Sequence, residues 1–398
     1  MQRKVAITGM GIISSIGTTV EENFHSLRSK KTGISRLENF DSKHKNEIKV
    51  GEIKWSNETL AQNLVLPKDH SFTRISLLGA FAAKQAIENA HISEINEVRT
   101  GLISSTSVGG MDATEKHYQS YDAQPEHLRF IKSHNAGDTS NKIAEYLGLK
   151  GFVTTISTAC SSAANAIMMG ASMIENGYLD RVIVGGTDAL SKFTINGFKT
   201  LMILSDTDNT PFDQNRKGLN LGEAAAYLVL ESAEMIEKYN KNVLAYVVGY
   251  GNANDAFHQT ASSENGEGAY LAMQKAFEKA QISPSQIDYI NVHGTATPNN
   301  DLSEGRAILR IFDQVPPFSS TKSFTGHTLA AAAAIEAVYS VLALQNNTIF
   351  PTLQFSTPME EFQLIPETEC SSKTVDYVLS NSFGFGGNCS TLIFSKAS

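Results

Sequence analysis

Apolar positions along the chain fall into short runs that alternate between two periods. Val5–Ile13 (VAITGMGII), Arg181–Leu190 (RVIVGGTDAL) and Ala224–Ser232 (AAAYLVLES) are nearly continuous apolar runs of strand length, some punctuated by glycine. Phe72–Ala90, and GAYLAMQKAFEKAQI further on, space their apolar residues at helical intervals and predict helices. The later chain repeats the order: VLAYVVGYGNA, that second helix, IDYINVHGTATP, an alanine-rich helix, then VDYVLSNSFGFGG and STLIFS. This alternation predicts an α/β protein with helices on the faces of sheets. Val5–Gly11 (VAITGMG) and Val247–Asn252 (VVGYGN) are alike, each a strand running into a pair of glycines, which hints at duplication. The polar segment Glu234–Lys241 divides the chain into 1–240 and 241–398. Phe40–Lys68 is polar and irregular and reads as surface excursions.

The longest apolar run, Thr328–Leu344, contains Glu336 and is short for a membrane span, so it reads as a buried helix. The N-terminus reads as a first strand rather than an export signal. A net charge of −8 argues against bulk attraction to nucleic acid or an anionic membrane. Three cysteines, Cys160, Cys370 and Cys389, are an odd and sparse set that fits free thiols in a reducing cytoplasm. HExxH and CxxC are absent from the sequence, so no zinc site is expected.

Four segments could carry chemistry. Cys160 lies where the apolar Val153–Ile156 runs through Ser-Thr-Ala-Cys into a helical stretch, a junction whose helix N-terminus favours a thiolate; a buried thiol packed as a small hydrophobe is the competing reading. His293 ends the strand Tyr289–Val292, with Asp301 and Glu304 following at helix-start spacing, Asp301 as a possible cap. His327 sits before the alanine-rich helix, where the dipole disfavours imidazolium and keeps the ring neutral. Lys322, five residues earlier, requires a carboxylate if buried, and Glu304 and Asp301 are candidates. Asn381–Ser390 (NSFGFGGNCS) is a glycine-rich loop around Phe383 and Phe385 that could aim backbone N–H groups at a ligand and still move; an ordinary turn is the alternative.

Taken together, TACSS, VHGTATPxxD, TKSFTGH and NSFGFGG resemble, in order and spacing, the β-ketoacyl-[acyl-carrier-protein] synthases, closest to the chain-elongating type and related polyketide ketosynthases. VAITGMGIISSIG, PFDQNRKGLNLGEAAAYLVLE and STLIF extend the resemblance over essentially the whole chain. The resemblance implies a thiolase fold: two duplicated α/β halves in five α-β-α-β-α layers, the cysteine in the first and the histidine pair in the second. It implies an acyltransferase with Cys160 as acyl-accepting nucleophile and His293 and His327 acting on malonyl decarboxylation. Lys322 would pair with Glu304. Thr295 and Thr297 would bind the phosphopantetheine arm, with Phe383 also at the substrate. Phe385 would gate the site, and the N–H groups of Cys160 and Phe385 would form an oxyanion hole. No metal or other cofactor is implied, since substrates arrive on an acyl carrier protein. A homodimer is expected, with a heterodimer with a related ketosynthase-like subunit as the alternative.

Three related kinds of protein would differ at these positions. A thiolase would carry a second catalytic cysteine in a different loop, a starter-condensing enzyme would have asparagine in place of His327, and a chain-length factor would lack Cys160. The chain also departs from the pattern. Ala330 and Ala333 stand where elongating synthases usually have glycine and should tighten the packing of that helix. After Leu204–Ser205 a usually basic stretch reads DTDNTPFD, which leaves Lys68, Arg74, Lys192 and Lys199 as candidates for carrier docking. These departures hint at a specialised polyene or polyketide-type pathway; housekeeping elongation stays open.

Overall fold

The computed structural model describes residues 5–397. Ten strands form its main sheet. The first half supplies β1 (Val5–Ser14), β2 (Thr100–Ser105), β3 (Phe152–Ile156), β4 (Arg181–Asp188) and β5 (Ala224–Ser232). The second half supplies β6 (Ala245–Asn254), β7 (Tyr289–Asn291), β8 (Phe318–Ser319), β9 (Tyr377–Gly384) and β10 (Asn388–Lys396). In space they run β3-β2-β4-β5-β1-β6-β10-β9-β7-β8. Read outward from the centre, the two halves have the same topology, β1-β5-β4-β2-β3 and β6-β10-β9-β7-β8, with the same parallel and antiparallel pairings. They meet where Val5, Ala6 and Ile7 pair with Val247, Tyr246 and Ala245.

Six helices matter to the site: α1 (Arg74–Asn89), α2 (Ser162–Glu175), α3 (Lys192–Thr200), α4 (Glu267–Ala280), α5 (Pro298–Ile311) and α6 (Ala332–Asn346). Helix α1 covers the outer face of the first half, where Leu78 and Ala82 share a core with Leu102, Ile183 and Val229. Helices α4 and α5 cover the outer face of the second, packing Met273, Ala276 and Ile308 with Ile290, Leu379 and Ile393. Between the halves lie α2 and α6, whose Ile167 and Val338 belong to one cluster with Val184 and Leu228 on one side and Val378 and Leu392 on the other. These are the five expected layers.

The duplication glimpsed in the sequence extends to atomic contacts. A Cβ on Gly11 of β1 would lie 2.1 Å from the Ala82 carbonyl oxygen of α1, and one on Gly251 of β6 would lie 2.2 Å from that of Ala272 on α4. Glycine lets each helix sit directly on its strand.

Two regions read differently in the structure. Phe40–Lys68 is not only surface: Lys49–Gly51 pairs with Ile34–Arg36 and Leu221–Gly222 in a small sheet, and Ile48, Val50, Ile53 and Leu60 are buried. Its apolar residues are broken up by charged and polar ones, and neither strand nor helix period is sustained through it. Glu234–Lys241 is mostly helix, Ala233–Tyr239, leading into β6. The apolar run around α6 is long and hydrophobic enough to cross a membrane but is largely buried between the halves, as expected of a core helix.

Candidate active site

Equivalent positions in the two halves deliver the reactive side chains. Cys160 precedes α2, which follows β3; His327 precedes α6, which follows β8. The N-terminal ends of the two central helices therefore bring a thiol and an imidazole to one place. His293 follows β7, the strand beside β8.

Cys160, His293 and His327 line a single cavity of about 360 Å³, with Thr295, Thr297, Phe383 and Phe385. The rings of His293 and His327 are nearly perpendicular with centroids 5.4 Å apart, and Phe383 lies 5.5 Å from His293. Phe385 stacks on Phe198 of α3 at 5.8 Å. The hydroxyls of Thr295 and Thr297 are 2.8 Å apart.

The cysteine turn is tightly shaped. Ala159 has φ of 52°, and the N–H groups of Phe385 and of Cys160 itself favour negative charge on the sulfur. Burial nevertheless pushes the Cys160 thiol up to about 12, outweighing the downward pull of Lys322 and these N–H groups. This runs against the expectation of a thiolate, because desolvation is the largest effect on the sulfur.

The histidines are neutral as expected, with burial as the main cause and Lys322 adding to it. His327 Nδ1 accepts from the Leu329 N–H at 3.2 Å, which places the ring proton on Nε2. Its backbone is held by Asn220 and Gly222, the N–H of His327 donating to Asn220 O at 2.7 Å and that of Gly222 to His327 O at 2.9 Å.

The Lys322–Glu304 pairing is corrected. Lys322 is buried and its Nζ bonds Glu336, the acidic residue of α6. Glu304 instead accepts from the N–H groups of His293 and Gly294, both at 2.8 Å, and from Asn381 Nδ2 at 3.2 Å. It holds the backbone of the His293 loop, and neither Lys322 nor Glu304 lines the cavity. Asp301 is not the cap of α5, a place taken by Thr297; it lies in the first turn and accepts from Ala296 N and Phe212 N. Glu336 is only 14 residues from Lys322 in sequence, and the packing of α6 rather than sequence distance turns it onto the lysine.

Sequence reasoning missed Asp188 at the end of β4. It is buried and accepts from Thr106 Oγ1 at 2.7 Å, Ser107 N at 3.0 Å and Ala330 N at 2.8 Å, which fixes the turn before α6. The only signal was an aspartate ending an apolar strand. Ala330 and Ala333 are both buried. Of the docking candidates, Arg74 is removed: it is buried and donates to Glu223 at 2.8 Å and to the Ile53 carbonyl at 2.9 Å. Lys68 and Lys192 are exposed, and Lys199 lies 3.4 Å from Glu47.

A buried thiol facing two neutral imidazoles where duplicated α/β halves meet defines a thiolase-fold acyl-transfer enzyme. The chain belongs to the β-ketoacyl synthase family: the model of the N-terminal domain matches residues 2–235 and that of the C-terminal domain residues 244–356. It is 34% identical to 3-oxoacyl-[acyl-carrier-protein] synthase 2 of Staphylococcus aureus (strain COL), over 99% of this chain and 98% of that one. Against the synthase 2 of Coxiella burnetii the figures are 34%, 99% and 99%. Among solved structures it is similar to the ishigamide ketosynthase/chain length factor, with a TM-score of 0.93 and 29% identity over the full length of both chains. A ketosynthase (ApeO) in complex with its chain length factor (ApeC) from Xenorhabdus doucetiae gives a TM-score of 0.85 and 31% identity over 99% of this chain and 98% of that one.

Proposed function

We propose that the chain is a β-ketoacyl-[acyl-carrier-protein] synthase that lengthens a carrier-bound acyl chain by two carbons. The observation that carries this reading is the convergence of Cys160, His293 and His327 on one cavity that Phe385 also lines.

The chemistry follows from the geometry. Cys160 Sγ attacks the thioester carbonyl of an acyl carrier protein; the S–C bond forms, the carrier sulfur leaves, and the thiol proton departs with it. The N–H groups of Cys160 and Phe385 receive the charge that builds on the carbonyl oxygen. A malonyl thioester then loses CO2, and the electron pair left behind is held as an enolate on its thioester oxygen. Neutral His293 and His327 suit that oxygen as hydrogen-bond donors; burial keeps them neutral, and Lys322, paired to Glu336, adds to it. The carbanion attacks the acyl carbonyl, a C–C bond forms, and Cys160 leaves as a thiolate that regains a proton. Thr295 and Thr297 stand where an arm entering the cavity would meet hydroxyls, and Phe383 walls the cavity beside His293. Phe385 is the gate. The steps balance without a metal or nicotinamide.

Among the described residues edge strand β3 pairs only with β2, and Phe152 on it is 39% exposed, which supports pairing with a second copy or a related ketosynthase-like chain through this edge. The free thiols support a cytoplasmic setting.

The test is intact-mass analysis with a panel of acyl-carrier thioesters, wild type beside Cys160→Ala. An acyl mass gained by wild type alone is the expected result. Equal acylation of the alanine variant would refute the reading.

A further inference from the structure

The tip carrying Phe385 is short. Gly384 and Asn388 face each other across the β9–β10 hairpin, with only Phe385, Gly386 and Gly387 between them. Both ends of the tip are tied to the cysteine turn. On one side, a Cβ on Gly384 would lie 2.7 Å from the Thr158 carbonyl oxygen and 3.2 Å from Cys160 N. On the other, Asn388 Oδ1 accepts from Ser161 Oγ at 2.7 Å, Asn165 Nδ2 at 2.8 Å and Asn252 Nδ2 at 2.9 Å. Asn165 also donates to Thr158 Oγ1 at 2.8 Å and accepts from Asn252 Nδ2 and Ser390 Oγ, both at 3.0 Å. Two amide NH2 groups converge on one atom of Asn388, so that atom is its oxygen. The net joins α2 and the cysteine turn of the first half to β6 and β10 of the second. Beyond it, Gly386 and Gly387 have φ of 83° and 81°, and a Cβ on Gly386 would meet open space.

We propose that Asn388 is a positioning residue for acyl transfer to Cys160. Its carboxamide oxygen fastens the base of the tip to the cysteine turn and so holds the Phe385 N–H beside Cys160. Asn388 touches no reacting atom. It acts through the Phe385 N–H, which takes charge from the carbonyl oxygen as the S–C bond forms and the carrier sulfur leaves. This rests on the reading of Cys160 as acyl acceptor.

The test separates alignment from general integrity. Alkylation of Cys160 by iodoacetamide builds no oxyanion and gains nothing from the hole, whereas acylation does. Wild type, Asn388→Ala and Asn388→Asp are compared at one pH for acylation rate by intact mass, alkylation rate and thermal unfolding. Loss of an oxyanion donor typically slows a reaction by about 10²–10³, so a misaligned one should slow acylation of Asn388→Ala by about 10- to 100-fold, with alkylation within about twofold of wild type. Aspartate keeps the acceptor oxygen, and its ratio of acylation to alkylation should stay within about threefold of wild type. Acylation and alkylation falling together, or acylation unchanged, would overturn the proposal. If Asn388→Ala does not fold, Asn252→Ala removes one donor from the far side and should lower the same ratio by about 3- to 10-fold; an unchanged ratio overturns the proposal. Wild type that is alkylated but acylated by no carrier would overturn the underlying reading, and this inference with it. Acylated wild type with an unaffected variant overturns the inference alone.

Discussion

The pairing of Lys322 with Glu336 rather than Glu304 makes a sharp quantitative prediction. Both side chains are almost fully buried, at 2% and 1% exposure. At an effective dielectric of about 20, unit charges at hydrogen-bond separation attract by about 5 kcal/mol, while desolvation costs several kcal/mol for each ion, so the pair nearly balances. Removing one partner leaves the other's desolvation uncompensated, a loss of about 3–5 kcal/mol. Glu336→Gln and Lys322→Met should each lose about that much, and the double variant should recover to within about 2 kcal/mol of wild type. The assay is denaturant unfolding of all four proteins as a double-mutant cycle. A parallel cycle with Glu304→Gln should show no such recovery, since Glu304 accepts from backbone N–H groups and Asn381. Lys322 also holds both histidine pKa values down, so its loss lets them rise. The acid limb of the pH–rate profile of malonyl decarboxylation should therefore move to higher pH in Lys322→Met. Additive single losses, or recovery in the Glu304 cycle, would refute the assignment.

Three further outcomes are expected. Burial raises Glu304 from 4.5 to about 7, so the folded protein holds that proton more tightly than the unfolded chain; the group's contribution is fully present below about pH 4.5 and fades by about 3 kcal/mol as pH rises to 7, and unfolding measured across that window should show a flatter slope for Glu304→Gln. Gly11→Ala and Gly251→Ala should each destabilise by about 3 kcal/mol or more, because their Cβ atoms meet helix backbone, whereas Gly197→Ala on α3 meets open space and should gain about 0.5–1 kcal/mol; thermal unfolding distinguishes them. Arg74→Ala should lower stability by about 3–5 kcal/mol by stranding Glu223, while Lys68→Glu with Lys192→Glu should leave stability within about 0.5 kcal/mol and raise the KM for the carrier, read from unfolding and steady-state kinetics.

The sequence by itself determined the alternation of strands and helices, hinted at the duplication, and offered the three candidate side chains of the site. These are local properties: period, a strand ending in a small-residue turn, a histidine at a helix start. It also carried the burial of the alanine-rich helix, because one acidic residue does not undo an apolar run of that length. Only the tertiary structure decided which acid answers Lys322, since Glu304 and Glu336 both lie within reach along the chain and the packing of α6 selects the second. It alone showed Arg74 turned inward onto Glu223 and Asp188 fixing the start of α6, contacts made across more than a hundred residues. It also reversed the expected state of Cys160. A helix N-terminus is legible in sequence, but the depth of burial that overrides it depends on the second half closing over the first.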